Sequence, residues 1–159
     1  MKKFLFVLII SVLSACGFQP MFTGQTTDIY VTPINGINGI ELRNALWAKF
    51  GDQYSPDAKY TLTVQLRDPI TKYMALAQTG DAEWQEISIT AKYTLTQNGK
   101  RIASGAETAS ESYAFVSYLV ASNASYNNAV KNTIRTLSEK ISTRVIAETY
   151  KYENKDKIK

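Results

Sequence analysis

Histidine is absent from all 159 residues, and cysteine occurs once, at Cys16. Ser-His-Asp and Cys-His nucleophiles, Cys/His zinc sites and internal disulfides are therefore excluded. Catalysis would fall to carboxylates, lysines or hydroxyls alone. Charge of one sign is scarce too: 18 Lys and Arg face 14 Asp and Glu, a formal +4. No Lys/Arg cluster forms a phosphate-tracking surface, so nucleic acid is not an expected partner. A membrane-spanning reading of Phe4 to Ala15 fails on length, with 12 residues where a span needs about 20. No internal repeat, low-complexity segment or second-domain boundary is visible.

What is present starts with Leu13-Ser14-Ala15-Cys16, behind the basic pair Lys2-Lys3 and a short apolar run. A bulky aliphatic residue, two small residues and the sole cysteine make a lipobox. Small side chains flank the bond to be cut between Ala15 and Cys16, and the thiol is the group to be alkylated with diacylglycerol. An ordinary secretory signal is the plainer alternative, but an A-x-A type site is absent. The expected organisation is a signal peptide over 1–15, a lipid-anchored tether over 16–27, one domain over 28–150 and a charged, frayed tail over 151–159. Cleavage removes Lys2 and Lys3, leaving 16 cations against 14 anions, or +2. Several acyl chains on Cys16 give durable attachment where one alone binds marginally. Phe18, Met21 and Phe22 are unusually apolar for a tether and could meet lipid, the domain or a partner.

Beyond the tether, 45% hydrophobic and 20% charged residues suit a globular domain. Asp28 to Thr32 is β-branched and aromatic, and ends at Pro33. A short helix is expected over Gly39 to Phe50. Asn38 and Glu41 resemble a capping box, Ile40, Leu42, Leu46, Trp47 and Phe50 form the stripe, and Gly51 is the stop. From Lys59 the period becomes two, with Tyr60, Leu62, Val64 and Leu66 on one side and Thr61, Thr63, Gln65 and Arg67 on the other. Asp68-Pro69 interrupts or ends that strand. Ile87 to Leu95 alternates likewise, and Asn98-Gly99 predicts a type I′ hairpin. Lys100 to Tyr113 returns antiparallel, with Gly105 as a bulge candidate. A long helix starting between Tyr118 and Ser125 ends near Tyr150, with Tyr126, Val130, Thr133, Ile134, Leu137, Ile141 and Val145 on one stripe. The order β-α-β-β-β-α predicts an α+β two-layer sandwich: a four-stranded, mostly antiparallel sheet with two helices on one face. The other face is left to solvent or a partner.

At this point the segment Cys16-Gly17-Phe18-Gln19-Pro20-Met21-Phe22 resembles the opening of mature lipopolysaccharide-assembly lipoproteins, the LptE or RlpB family, in its alphaproteobacterial branch. Weaker similarity runs through Glu41 to Leu46, Tyr93 to Thr96, Gly99, Ser104-Gly105 and Ser112-Tyr113. The family, too, ends on a long amphipathic helix. Ser112-Tyr113-Ala114-Phe115 departs from it, leading into a Ser/Ala/Asn stretch where an acidic segment is frequent. The resemblance implies an outer-membrane lipoprotein on the periplasmic side, seated in the lumen of an LptD-like β-barrel and binding lipopolysaccharide. It implies no enzyme activity and no cofactor beyond the N-acyl diacylglycerol on Cys16. Gly17 fits outer-membrane retention, since Asp there is associated with the inner membrane.

Glycolipid binding needs cations for phosphate and polar donors for sugar hydroxyls. The candidates are Arg67, Lys72, Lys92 and Arg101, with Lys100 beside the turn. Solvated surface charge is the plain reading of each. Arg67 stands first because it shares a face with Thr61, Thr63 and Gln65. Asp68, Asp81, Glu83 and Glu86 flank a loop without a cleft, a poor arrangement for glycoside hydrolysis. Trp47 is expected in the core and Trp84 exposed, while Tyr113, Phe115 and Tyr118 are expected to pack at the strand-to-helix corner. The rival assignments are an auxiliary lipoprotein of an ABC-type lipid transport system and an anchored glycan enzyme. Metal ligation is not expected.

Overall fold

The computed structural model describes residues 28–51, 55–76, 82–115 and 118–155. Cys16, the signal peptide and the tether lie outside them, as does Asp81. The elements run β1 (Ile29–Val31), α1 (Ile37–Phe50), β2 (Tyr60–Leu66), β3 (Ile70–Leu76), β4 (Ala82–Gln97), β5 (Lys100–Ala114) and α2 (Leu119–Asn154). The architecture is the expected α+β arrangement, two helices with one mostly antiparallel sheet, although the sheet has five strands.

The additional strand arises from the Asp68-Pro69 break. β2 pairs with β4 from Thr61↔Thr96 to Leu66↔Ala91, and the Arg67 N–H continues the ladder to the Thr90 carbonyl at 2.9 Å. Pro69 has no N–H to donate, and pairing resumes one residue out of step at Ile70↔Ser88. β2 and β3 are thus two halves of one interrupted strand along the same side of β4. Laterally the sheet reads β1, then β2 with β3, then β4, then β5. β1 alone pairs in parallel, through Ile29↔Tyr60 to Val31↔Leu62.

The hairpin turn is as the sequence predicts: Asn98 and Gly99 have φ of 48° and 75°, and Gln97 pairs with Lys100. The bulge lies elsewhere than Gly105. Register shifts between Leu95↔Ala103 and Thr96↔Arg101, leaving Ile102 as the extra residue. Gly105 instead sits directly across from Tyr93, whose ring fills the missing side chain's place. A Cβ there would lie 2.7 Å from the Tyr93 hydroxyl oxygen.

Burial follows the alternation. Ile87, Ile89, Ala91 and Leu95 of β4, with Leu62 of β2 and Leu42 and Leu46 of α1, are almost wholly inaccessible. So are Leu137, Ile141 and Val145 of α2. Each large aliphatic side chain buried this way contributes about 1.5–3 kcal/mol. Hydroxyls also lie on the buried stripe of α2. Thr133, Ser138, Ser142 and Thr149 donate to the carbonyls of Ala129, Arg135, Glu139 and Ile146 at 2.7–3.1 Å, so none is left unsatisfied. Their small size lets the helix lie close to the sheet. Thr149 takes the inward position and Tyr150 is exposed, and the helix runs past its expected end near Tyr150 to Asn154.

α1 starts earlier than its capping box suggests. The N-cap is Gly36, and no side chain caps it, since Asn38 already lies inside the helix. Gly39 faces Ile34 so closely that a Cβ would approach its carbonyl oxygen to 2.8 Å. That contact turns Gly39 inward and leaves Ile40 exposed, against the sequence reading.

Among the described residues, ion pairs tie α2 to α1, to β5 and to the segment leading into β2. Glu139 meets Lys49 of α1 at 3.5 Å, Glu107 of β5 meets Arg144 at 3.3 Å, and Glu153 meets Lys59 just before β2. Glu153 also accepts a hydrogen bond from the Tyr60 hydroxyl at 2.8 Å. The bond to Glu153 raises the Lys59 pKa above 10.5, against the opposing pull of burial. Burial first, and then Glu153, raise Tyr60 above 10.0.

Candidate functional site

The sheet face away from the helices is polar over the half nearer the hairpin turn. Along β4 it presents Trp84, Glu86, Ser88, Thr90, Lys92, Thr94 and Thr96, the set alternate to the buried Ile87, Ile89, Ala91, Tyr93 and Leu95. Register sets their neighbours: Gln65, Lys92 and Ala106 form one row across β2, β4 and β5, and Thr63, Thr94 and Ser104 the next. Thr90 and Thr108 are bonded to each other across the strands at 2.9 Å. The face is therefore a lawn of hydroxyls and amides with isolated cations.

A hollow of about 410 Å³ opens in this lawn, lined by Thr63, Gln65, Lys92, Thr94, Arg101, Ser104 and Ala106 along with Tyr93 and Gly105. The bulge at Ile102 is what brings Arg101 here. Side chains alternate strictly along a strand, so a one-residue insertion moves everything beyond it to the opposite face. Arg101 is thereby paired with Thr96 on the open face, and Ile102 packs against the core. The short side chain of Ala106 leaves room beside Lys92 in its row. An anionic group placed here meets a guanidinium able to grip two oxygens and an ammonium acting as a point charge. Threonine, serine and glutamine side chains remain to exchange hydrogen bonds with neighbouring hydroxyls.

Of the sequence-selected cations, Lys92 and Arg101 converge on the hollow. Arg67 is exposed just past β2 and is not among its lining, although it extends the same face. Lys72 lies opposite Glu86 on β3, in the other half of the sheet. Lys100 stands at the hairpin turn opposite Gln97. Cys16 lies outside the described residues. Thr94, Ser104 and Ala106 are not among the binding candidates chosen from sequence; counting register back from the turn without the bulge misplaces the β5 residues by one. Among the described residues no cluster of acidic or cysteine side chains could hold a metal ion, and no helix is long and apolar enough to cross a membrane.

A second hollow, about 400 Å³, runs between α1 and α2 over Ala45, Ala48 and Ile134, rimmed by Glu41, Lys49, Lys131 and Arg135. The aromatic corner is divided. Tyr113 is buried, donates to Gln85 and meets Tyr126 edge-on at 6.0 Å. Phe115 and Tyr118 are exposed, against expectation, because β5 ends at Ala114 and the chain leaves the sheet there. Trp84 is exposed as expected, while Trp47 packs partly buried against the core with the Arg43 guanidinium 3.9 Å above its ring.

No family model and no curated protein matches the chain. Solved structures do. A candidate lipoprotein of Caulobacter crescentus aligns at a TM-score of 0.63 and 17% identity, over 79% of this chain and 91% of its own. Rare lipoprotein B of Shewanella oneidensis gives 0.62 and 12%, over 79% and 97%. A Xanthomonas campestris protein gives 0.63 and 12%, over 86% and 93%. At these identities the likeness establishes the fold, which this chain shares with a set of bacterial lipoproteins along nearly their whole length.

Proposed function

We propose that this chain is a non-catalytic outer-membrane lipoprotein of a lipopolysaccharide translocon. In this reading it is anchored through Cys16 and seated in an LptD-like β-barrel whose assembly it assists. The observation that carries the reading is the open sheet face: a hydroxyl-rich surface with Lys92 and Arg101 meeting over one hollow. The Cys16 to Phe22 opening and the fold shared with rare lipoprotein B support it. A domain enclosed in a barrel has most of its exterior in contact with a polar lumen, and Ser, Thr and Gln side chains can hydrogen-bond to such a wall. Lys92 and Arg101 would receive glycolipid phosphates, and the flanking Thr63, Gln65, Thr94 and Ser104 its sugar hydroxyls.

A detergent pull-down of the lipidated chain from its own envelope tests the partner. Stoichiometric recovery of a large outer-membrane barrel is expected. Recovery of inner-membrane transporter subunits alone would favour the ABC-type rival. The site is tested by titrating lipopolysaccharide against the Lys92→Glu/Arg101→Glu chain. At least a tenfold loss of affinity is expected, with a markedly smaller loss for Arg67→Glu/Lys72→Glu. Equal losses for the two pairs would reduce the hollow to generic surface charge.

A further inference from the structure

Large exposed apolar side chains concentrate at the end of the sheet away from Asn98-Gly99. Trp84 lies there opposite Ala114 and Ala75, and Tyr73 lies opposite Gln85. Tyr118, the N-cap of α2, follows β5 by a few residues. Tyr118, Leu119 and Val120 are 81%, 78% and 84% exposed, and Tyr73, Met74 and Trp84 are each about half or more exposed. From Ser112 to Val130 the chain carries no charged residue. Withdrawing this end from water therefore requires no stripping of ions from that stretch. Its tyrosine and tryptophan rings combine an apolar body with a polar tip, the combination enriched at the headgroup boundary of bilayers.

The chain enters the fold at the opposite end. Ile29 pairs with Tyr60 and Thr61 with Thr96, so Asp28 stands level with the hairpin turn. From there to Trp84 the sheet extends roughly 46 Å at about 3.3 Å per residue. Residues 17–27, fully drawn out, reach at most about 38 Å. A lipid on Cys16 and the apolar end can therefore touch one bilayer together when the domain is tilted, with Asp28 brought within about 38 Å of the surface.

We propose that this end, with Trp84, Tyr118, Leu119 and Val120 at its tip, inserts into the headgroup region of a zwitterionic lipid bilayer as a second point of attachment. The inference goes beyond the translocon reading and shares only the Cys16 anchor with it. Once the anchor holds the chain at the surface, the apolar end meets lipid at high effective concentration, so weak insertion suffices.

The chain's two tryptophans supply the test. Full-length lipidated protein is reconstituted into phosphatidylcholine vesicles with or without brominated acyl chains. Trp47→Phe leaves Trp84 as reporter, and Trp84→Phe leaves Trp47. Trp84 emission is expected to shift to the blue and to fall at least twofold with brominated lipid, while Trp47 emission holds steady. Leu119→Asp/Val120→Asp should abolish the quenching with the circular dichroism spectrum unchanged. A Cys16→Ser chain at high lipid concentration should still show quenching, which reads insertion separately from the anchor. Trp84 equally open to acrylamide with and without vesicles would overturn the proposal. So would shielding that appears only at high protein-to-lipid ratio, marking a second copy, or only with a co-reconstituted barrel, marking a protein interface.

Discussion

On β4, Ile87, Ile89, Ala91, Tyr93 and Leu95 point toward the helices and Ser88, Thr90, Lys92, Thr94 and Thr96 away from them. One strand thus supplies both the most buried side chains of the molecule and the most polar surface of the sheet. The covered face is fixed by packing, where each removed methylene leaves a void. The open face is fixed by nothing but the pleat, so its chemistry is free to answer to a ligand or wall. Stability and recognition are separated by a single peptide unit.

The sharpest way to break this contrast is truncation on each side. Leu137→Ala or Ile141→Ala should cost about 2–5 kcal/mol, read by urea unfolding, whereas Thr94→Ala should stay within about 0.5 kcal/mol. Comparable losses would mean that the open face is covered in the folded chain. Next in size, Gly105→Ala pushes a Cβ into the Tyr93 ring and should cost about 1–3 kcal/mol. In a Tyr93→Ala background that cost should largely vanish, and additivity in the double-mutant cycle would refute the contact.

A pH titration separates the same two faces without mutation. Burial raises the pKa values of Tyr60, Tyr93 and Tyr113 above 10.0, and all three belong to the covered side. A raised folded pKa favours the folded state below the unfolded value, and that contribution is lost as pH climbs through the folded one. Melting temperature should therefore hold through neutral pH and fall above about pH 10; a flat profile to pH 11 would contradict the burial. Glu153→Gln is the mildest change. It removes an exposed ion pair with Lys59 and should cost about 0.2–1 kcal/mol, lessened by added salt.

Period-two alternation, the Asn98-Gly99 hairpin and the α2 stripe were legible because each depends on neighbours along the chain. The Asp68-Pro69 break was legible as a break, but not as a strand resuming on the same partner. That outcome depends on β4 extending to Ala82. The start of α1 and the role of Gly105 were hidden because a side-chain contact that spacing does not show decides each: Ile34 seated on Gly39, and the Tyr93 ring laid over Gly105. For the candidate site, residue types were readable and their convergence was not. Lys92 faces outward by simple alternation. Arg101 does so only through the Ile102 bulge, which no local pattern announced.

Among the described residues, β5 has β4 as its only strand partner, so fifteen residues of backbone stand at an open margin. Midway along it, the Lys140 ammonium donates to the Thr108 carbonyl at 2.7 Å, and Arg144 holds Glu107 beside it. A foreign strand seeking to zip along this margin would have to evict two cations and strip water from them. The long helix is thus a sentry as well as a lid, dividing one inviting seam into two short ones and keeping copies of the chain from templating each other.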